Sequence, residues 1–173
     1  MTWTHKMLVR RIAAWMKYNA TYRRTIVAAE IAAGSNTETP DVIGWHGCHS
    51  VLVECKTSRA DFHADKEKCF RREEERGMGD VRFFAAPVGV LTPEDIPDGW
   101  GLLELDERCV RVKKEPQSKK ANKAAEVIML VSVIRRLEIS TAVYVVQDTE
   151  NTTGQPPPRL GGGRAGPVCC VPD

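Results

Sequence analysis

The chain has 173 residues, six cysteines and a formal net charge of +2, and 42% of its residues are hydrophobic. That length suits one domain with a sizeable core, and no apolar run reaches the roughly 20 residues that a membrane helix needs. The cysteines lack CxxC pairing and Lys6 to Lys17 is too charged for a signal-peptide core, so a cytoplasmic protein with reduced thiols is expected.

Charge is unevenly placed. Residues 1–24 carry six Lys/Arg and no acid, residues 77–107 one Arg against seven Asp/Glu, and residues 108–123 seven Lys/Arg against one Glu. Two basic segments around an acidic centre suit a polyanion held near a metal, and solvated faces account equally well for each segment alone.

From His5 to Tyr18, Leu8, Ile12, Trp15 and Met16 recur at helical spacing opposite Lys6, Arg10 and Lys17, with Thr4 placed to cap the helix. Arg24 to Ala33 mixes helix and strand formers. Its shortness and the Gly34-Ser35-Asn36 turn favour a strand, in which Glu30 interrupts an apolar run.

Asp41–Trp45 and Ser50–Lys56 read as neighbouring strands joined by the four residues His46-Gly47-Cys48-His49. Alternation puts Leu52, Glu54 and Lys56 on one face and Val51, Val53 and Cys55 on the other. A carboxylate and an ammonium two residues apart at the end of an apolar strand are costly to place without a task. Asp41 could meet them across the pair. Two carboxylates and a lysine at one sheet end make a plausible Mg²⁺ and phosphodiester site. The ordinary alternatives are a turn role for Asp41 after Pro40 and a solvated edge strand for Glu54 and Lys56.

Ser58 to Asp61 fits a capping box opening a helix to about Arg72, with Phe62, Cys69 and Ala64 inward and Arg59, Asp65 and Lys66 outward. Val81 to Ala86 forms a further strand, stopped by Pro87. After a proline-punctuated loop, Gly101–Leu105 and Cys109–Lys113 form a hairpin turned at Asp106-Glu107. Residues 115–122 form a charged linker. Ala124 to Leu137 is a second amphipathic helix, its apolar face (Val127, Ile128, Leu130, Val131, Ile134, Leu137) broad enough to pack on the core or on another subunit. Thr141–Val146 could add a strand, and from residue 148 the Pro/Gly-rich composition suits a disordered tail, leaving a domain of residues 1–147.

With Pro40-Asp41 opening one strand and Glu54-Cys55-Lys56 closing the next, the chain resembles the PD-(D/E)xK nuclease superfamily over residues 5–86, most of all its small stand-alone repair- or phage-type members. The resemblance implies an α/β fold of mixed α+β type. Its restriction-endonuclease-like core would be a central mixed sheet flanked by helices in the order αβββαβ, here followed by a hairpin and a helix. It also implies an Mg²⁺-dependent deoxyribonuclease, with Mn²⁺ as substitute. In it Asp41, Glu54 and the Cys55 carbonyl hold the metal, and Lys56 orients the attacking water and stabilises charge on the phosphate. Many members also carry an acidic residue on the first helix; this chain has none there, and Glu30 is the substitute. The expected partner is DNA, with no membrane, bound through Lys6, Arg10, Arg11, Lys17, Arg59, Lys66, Lys113 and Lys114. A homodimer could form through the helix at 124–137.

Two other readings stand beside it. One is a nucleic-acid-binding or assembly module that keeps the fold without cleavage. The other is a small zinc-binding domain using His46, Cys48, His49, His63 and Cys69, although their spacing matches no common zinc pattern.

Overall fold

The described residues of the computed structural model are 2–31, 38–65 and 77–137. They build a six-stranded mixed sheet flanked by helices, so the chain has an α/β fold. In order the elements are α1 (His5–Tyr18), β1 (Ile26–Ala29), β2 (Val42–His46), β3 (His49–Cys55), α2 (Arg59–Asp65), β4 (Val81–Pro87), β5 (Gly101–Leu105), β6 (Val110–Lys114) and α3 (Lys123–Arg136). The strands lie in chain order across the sheet. β1, β2 and β3 pair antiparallel, β3, β4 and β5 run parallel, and β6 returns antiparallel to β5. The first six elements follow the order helix, three strands, helix, strand.

Alternation along the strands sorts the core into two layers. Val42, Val51, Val53, Cys55, Phe83, Ala85, Leu103 and Leu105 face α1, which buries Leu8, Val9, Ile12 and Met16 against them. Each of those four α1 side chains contributes roughly 1.5–3 kcal/mol of burial. Ile43, Trp45, Leu52, Phe84, Ala86 and Leu102 point the other way, onto Phe62 of α2, Met129 of α3 and Trp100 of the loop before β5. Because β3 is covered on both faces, its apolar run Val51-Leu52-Val53 is continuous instead of alternating. Thr4 caps α1 by accepting the Met7 N–H. Gly44 lets α1 sit close on β2: a Cβ there would lie 2.5 Å from Met16 Sδ and 2.9 Å from Arg24 Cβ.

Several boundaries differ from the expectation. The β2–β3 connection is tighter than four residues, because His46 and His49 pair and leave Gly47 (φ 58°) and Cys48 as the turn. Pro87 does not stop β4; it is the last strand residue and pairs with Leu105, and a proline at a strand end forfeits no interior ladder bond. β1 is shorter than Arg24–Ala33, and Glu30 just beyond it has φ 52°, a left-handed conformation that breaks the extended run. On α2, Phe62 is buried against Phe84 of β4 but Ala64 is exposed, since only one side of the helix meets the core. The expected continuation of α2 to Arg72, including Lys66 and Cys69, lies outside the described residues, as do the strand at 141–146 and the tail from 148.

α3 carries a second departure. Met129 and Glu126 are its buried residues, while Val127, Ile128, Val131, Ile134 and Leu137 are exposed. Only part of its apolar face therefore packs on the core. Among the described residues, no helix is long and apolar enough to cross a membrane.

Candidate active site at the carboxyl end of the central strand

β3 delivers Glu54 and Lys56 to the carboxyl end of the sheet. Both are nearly inaccessible, at 3% and 5% exposure. Leu52 and Phe84 enclose the strand on that face, and the Lys56 backbone N–H is tied to the Ala85 carbonyl of β4 at 2.8 Å. The Lys56 ammonium stands 3.9 Å from Glu54 Oε2. Opposite charges at that separation offset part of each other's desolvation, which allows both into a site this dry.

Asp41 comes in from the neighbouring strand. Val42 pairs with Val53, so one step further in the antiparallel register Asp41 falls opposite Glu54. Its Oδ2 accepts the Cys55 backbone N–H at 2.7 Å. A strand residue's N–H and C=O point the same way, so the Cys55 carbonyl is also directed towards the Asp41 side. The Cys55 thiol records the surroundings. Burial pushes it well above its ordinary range, Asp41, Glu54 and Glu30 add to the rise, and Lys56 opposes it.

Glu30 is placed differently from the expectation. Its backbone N–H bonds the Asp41 carbonyl at 3.0 Å, but its left-handed backbone turns the side chain to an exposed position 3.8 Å from His5 Nε2. Among the described residues, no three His, Cys, Asp or Glu side chains are grouped to hold a metal ion. Glu30 and Asp41 both face His5, with Glu30 Oε1 at 3.8 Å and Asp41 Oδ1 at 3.3 Å from its Nε2. The oxygen donors of Asp41, Glu54 and the Cys55 carbonyl still suit Mg²⁺, which is commonly held by one or two carboxylates, with water and substrate phosphate completing the shell.

His5 is a site residue that the sequence reading missed. It opens α1 and places Nε2 3.3 Å from Asp41 Oδ1. The first helix does reach the site, but with an imidazole in place of a carboxylate. A lone histidine at a helix start carries no sequence signal for this.

The basic residues expected to hold DNA are in varied settings. Lys6, Arg10 and Lys17 are exposed on α1, and Lys17 lies over the Tyr18 ring. Arg59 is ion-paired with Asp95, Lys113 with Glu104, and Lys114 donates to the Ile96 carbonyl. Those last three have local partners. His46, Cys48 and His49 sit at the exposed β2–β3 turn, at the opposite end of β3 from Glu54, and His63 is exposed on α2.

Near that opposite end lies a buried polar network that the sequence reading also missed. Glu126 Oε1 accepts from Ser50 Oγ at 2.6 Å and from the Gly79 N–H at 2.9 Å, while Oε2 accepts from Trp45 Nε1 and Lys123. Asp80 accepts from the Ser50 N–H and from Lys123. Burial alone would raise the Asp80 carboxyl, but hydrogen bonds from Lys123 and Ser50 outweigh it and hold it below its ordinary value. The network pins α3 to the start of β3. A glutamate inside an apolar helix is the signal that could have disclosed it.

A solved structure of a Silicibacter pomeroyi protein of unknown function is similar to this chain, with a TM-score of 0.58 at 23% sequence identity. The match covers 76% of this chain and 86% of that one, and at that identity it shows the fold alone. No protein-family model and no curated protein matches the chain.

Proposed function

We propose that this chain is a Mg²⁺-dependent nuclease that hydrolyses DNA phosphodiester bonds. The observation that carries the reading is the burial of Glu54 and Lys56 together at the carboxyl end of β3, one register step from Asp41. Two buried charges with a third alongside are expensive for a fold, and a metal and a phosphodiester are a use that offsets the cost. Asp41, Glu54 and the Cys55 carbonyl would hold the ion. When bound, it supplies Lewis-acid charge and an activated water. Lys56 is placed to orient a water and to stabilise negative charge on a phosphate oxygen, and its dry surroundings strengthen that interaction. Asp41 has a second task, since its hydrogen bond to Cys55 ties β2 to β3 at the site.

One observation favours a second reading, a nucleic-acid-binding module on the same fold without cleavage. Both Asp41 oxygens face a protein group, Oδ2 the Cys55 N–H and Oδ1 the His5 imidazole. Labelled single-stranded, duplex and branched DNA incubated with Mg²⁺ or Mn²⁺ separates the two. Cleavage that disappears in both Glu54→Ala and Lys56→Ala supports the nuclease. Cleavage that survives both substitutions removes it.

A further inference from the structure

Two adjoining grooves run along the flank of α1. The first, about 380 Å³, is lined by Trp3, Met7, Arg10, Arg11, Ala14 and Glu107. The second, about 340 Å³, shares Arg11 and Ala14 and adds Trp15, Asn19 and Arg108. The Arg11 guanidinium donates to the Arg108 carbonyl at 2.5 Å, which holds α1 to the β5–β6 turn and fixes the cation between the two grooves. Trp15 is braced by stacking on Tyr22 at 5.7 Å and by an edge contact with Phe83.

Three guanidinium groups and two indoles therefore border the two grooves, which meet at Arg11 and Ala14, with Glu107 their one acidic lining residue. Among the described residues, no carboxylate pairs with the guanidinium of Arg10, Arg11 or Arg108, and Asp106 accepts from Arg108 only through its backbone N–H. The grooves also begin in the right place. His5 reaches Asp41 from the first turn of α1. Met7, Arg10 and Arg11 follow it by two to six residues, roughly 3–9 Å along the helix axis. β3, β4 and β5 are parallel, so the turn carrying Glu107 and Arg108 lies at the same carboxyl end of the sheet as Glu54 and Lys56.

Resting on the nuclease reading of the site, we infer that these grooves hold an unpaired DNA strand leading to or from the scissile phosphate. Arg10, Arg11 and Arg108 take phosphates, and Trp3 and Trp15 take base faces. Alternating cations and aromatic planes suit a single strand, whose bases have open faces; in a duplex those faces are stacked on one another.

The test is fluorescence anisotropy of a labelled short oligo(dT), and of a hairpin duplex, with the full chain in EDTA so that binding is read without metal or cleavage. The wild type should bind oligo(dT) more tightly than the duplex. Arg11→Ala combined with Arg108→Ala should weaken oligo(dT) binding at least about tenfold and flatten its salt dependence by roughly 1.4 in log–log slope. Trp3→Ala should weaken it about fivefold or more, and Trp3→Phe should restore it, because a smaller ring still stacks. Unchanged oligo(dT) affinity in both the arginine and the Trp3→Ala variants overturns the inference. So does a duplex bound as tightly as oligo(dT). Cleavage that depends on Glu54 without this binding pattern defeats the inference alone, whereas this binding pattern without Mg²⁺-dependent cleavage defeats the nuclease reading and leaves a single-strand binding groove.

Discussion

Asp41 accepts the backbone N–H of Cys55 at 2.7 Å, so the carboxylate that opens β2 is joined to the backbone of the residue between Glu54 and Lys56. That bond gives Asp41 a structural as well as a chemical role, and the two can be separated. In Asp41→Asn the amide oxygen still accepts the Cys55 N–H. In Asp41→Ala that N–H loses its partner, at a cost of about 1–3 kcal/mol. Thermal denaturation should place the Asn variant near the wild type and the Ala variant clearly below it. Both should lose cleavage by roughly a hundredfold or more if Asp41 holds the metal. Equal stability of the two variants would show that the bond contributes little.

The Glu54–Lys56 pair predicts non-additive mutants. Removing either charge takes away a counter-charge 3.9 Å from the other, which stays buried, so Glu54→Gln and Lys56→Met should each destabilise the fold. The double variant should recover part of the loss, with a coupling of about 1–3 kcal/mol in urea unfolding. Strict additivity would mean that the two charges, 3.9 Å apart, do not support one another.

Glu126 is the residue whose loss should cost most stability away from the candidate site. Ser50 Oγ, the Gly79 N–H, Trp45 Nε1 and Lys123 all donate to its carboxylate, and it is 3% exposed. Glu126→Ala should destabilise by about 3 kcal/mol or more, because several buried donors are orphaned at once. Glu126→Gln keeps one acceptor oxygen and should cost less. A Glu126→Ala protein that melts at the wild-type temperature would contradict the network's importance.

The pH dependence of stability should follow Asp80 and Lys123, which hydrogen-bond at 2.6 Å. The Asp80 carboxyl is held below its ordinary value, so its contribution is complete above the unfolded-state value, near 3.9, and is lost as pH falls through the folded one. Burial would lower Lys123, but hydrogen bonds from its ammonium to Asp80 and Glu126 raise it. Its contribution is complete below about 10.4 and is lost as pH rises through the folded value. The stability gap between wild type and Lys123→Met, measured by urea unfolding, should be widest at neutral pH. It should narrow below about pH 4 and above about pH 10. A gap independent of pH would show that the ion pair is not its source.

Much of the fold was legible because it rests on local periodicity. The helical spacing of Leu8, Ile12 and Met16 marked α1, and the alternation from Val51 to Lys56 assigned Leu52 and Cys55 to opposite layers, as the structure has them. The Ser58–Asp61 cap was readable because its partners are three residues apart. The nearness of Asp41 to Glu54 was readable because a short hairpin sets its own register.

What only the tertiary structure decided involves partners far apart in the chain or backbone angles with no sequence signature. Glu30 follows β1 in a left-handed conformation that no strand pattern announces, and His5 arrived from the first helix to face both Glu30 and Asp41. The engagement of Glu126 depends on Trp45, Ser50 and Gly79, which lie 47 or more positions away in the chain. Arg11 and Arg108 meet across 97 positions of sequence. By itself the sequence determined which residues are charged, which are apolar and on which face of its own element each one lies. Which of those faces meet depends on long-range packing, where a one-residue change of register or a single positive φ redirects a side chain from one neighbour to another.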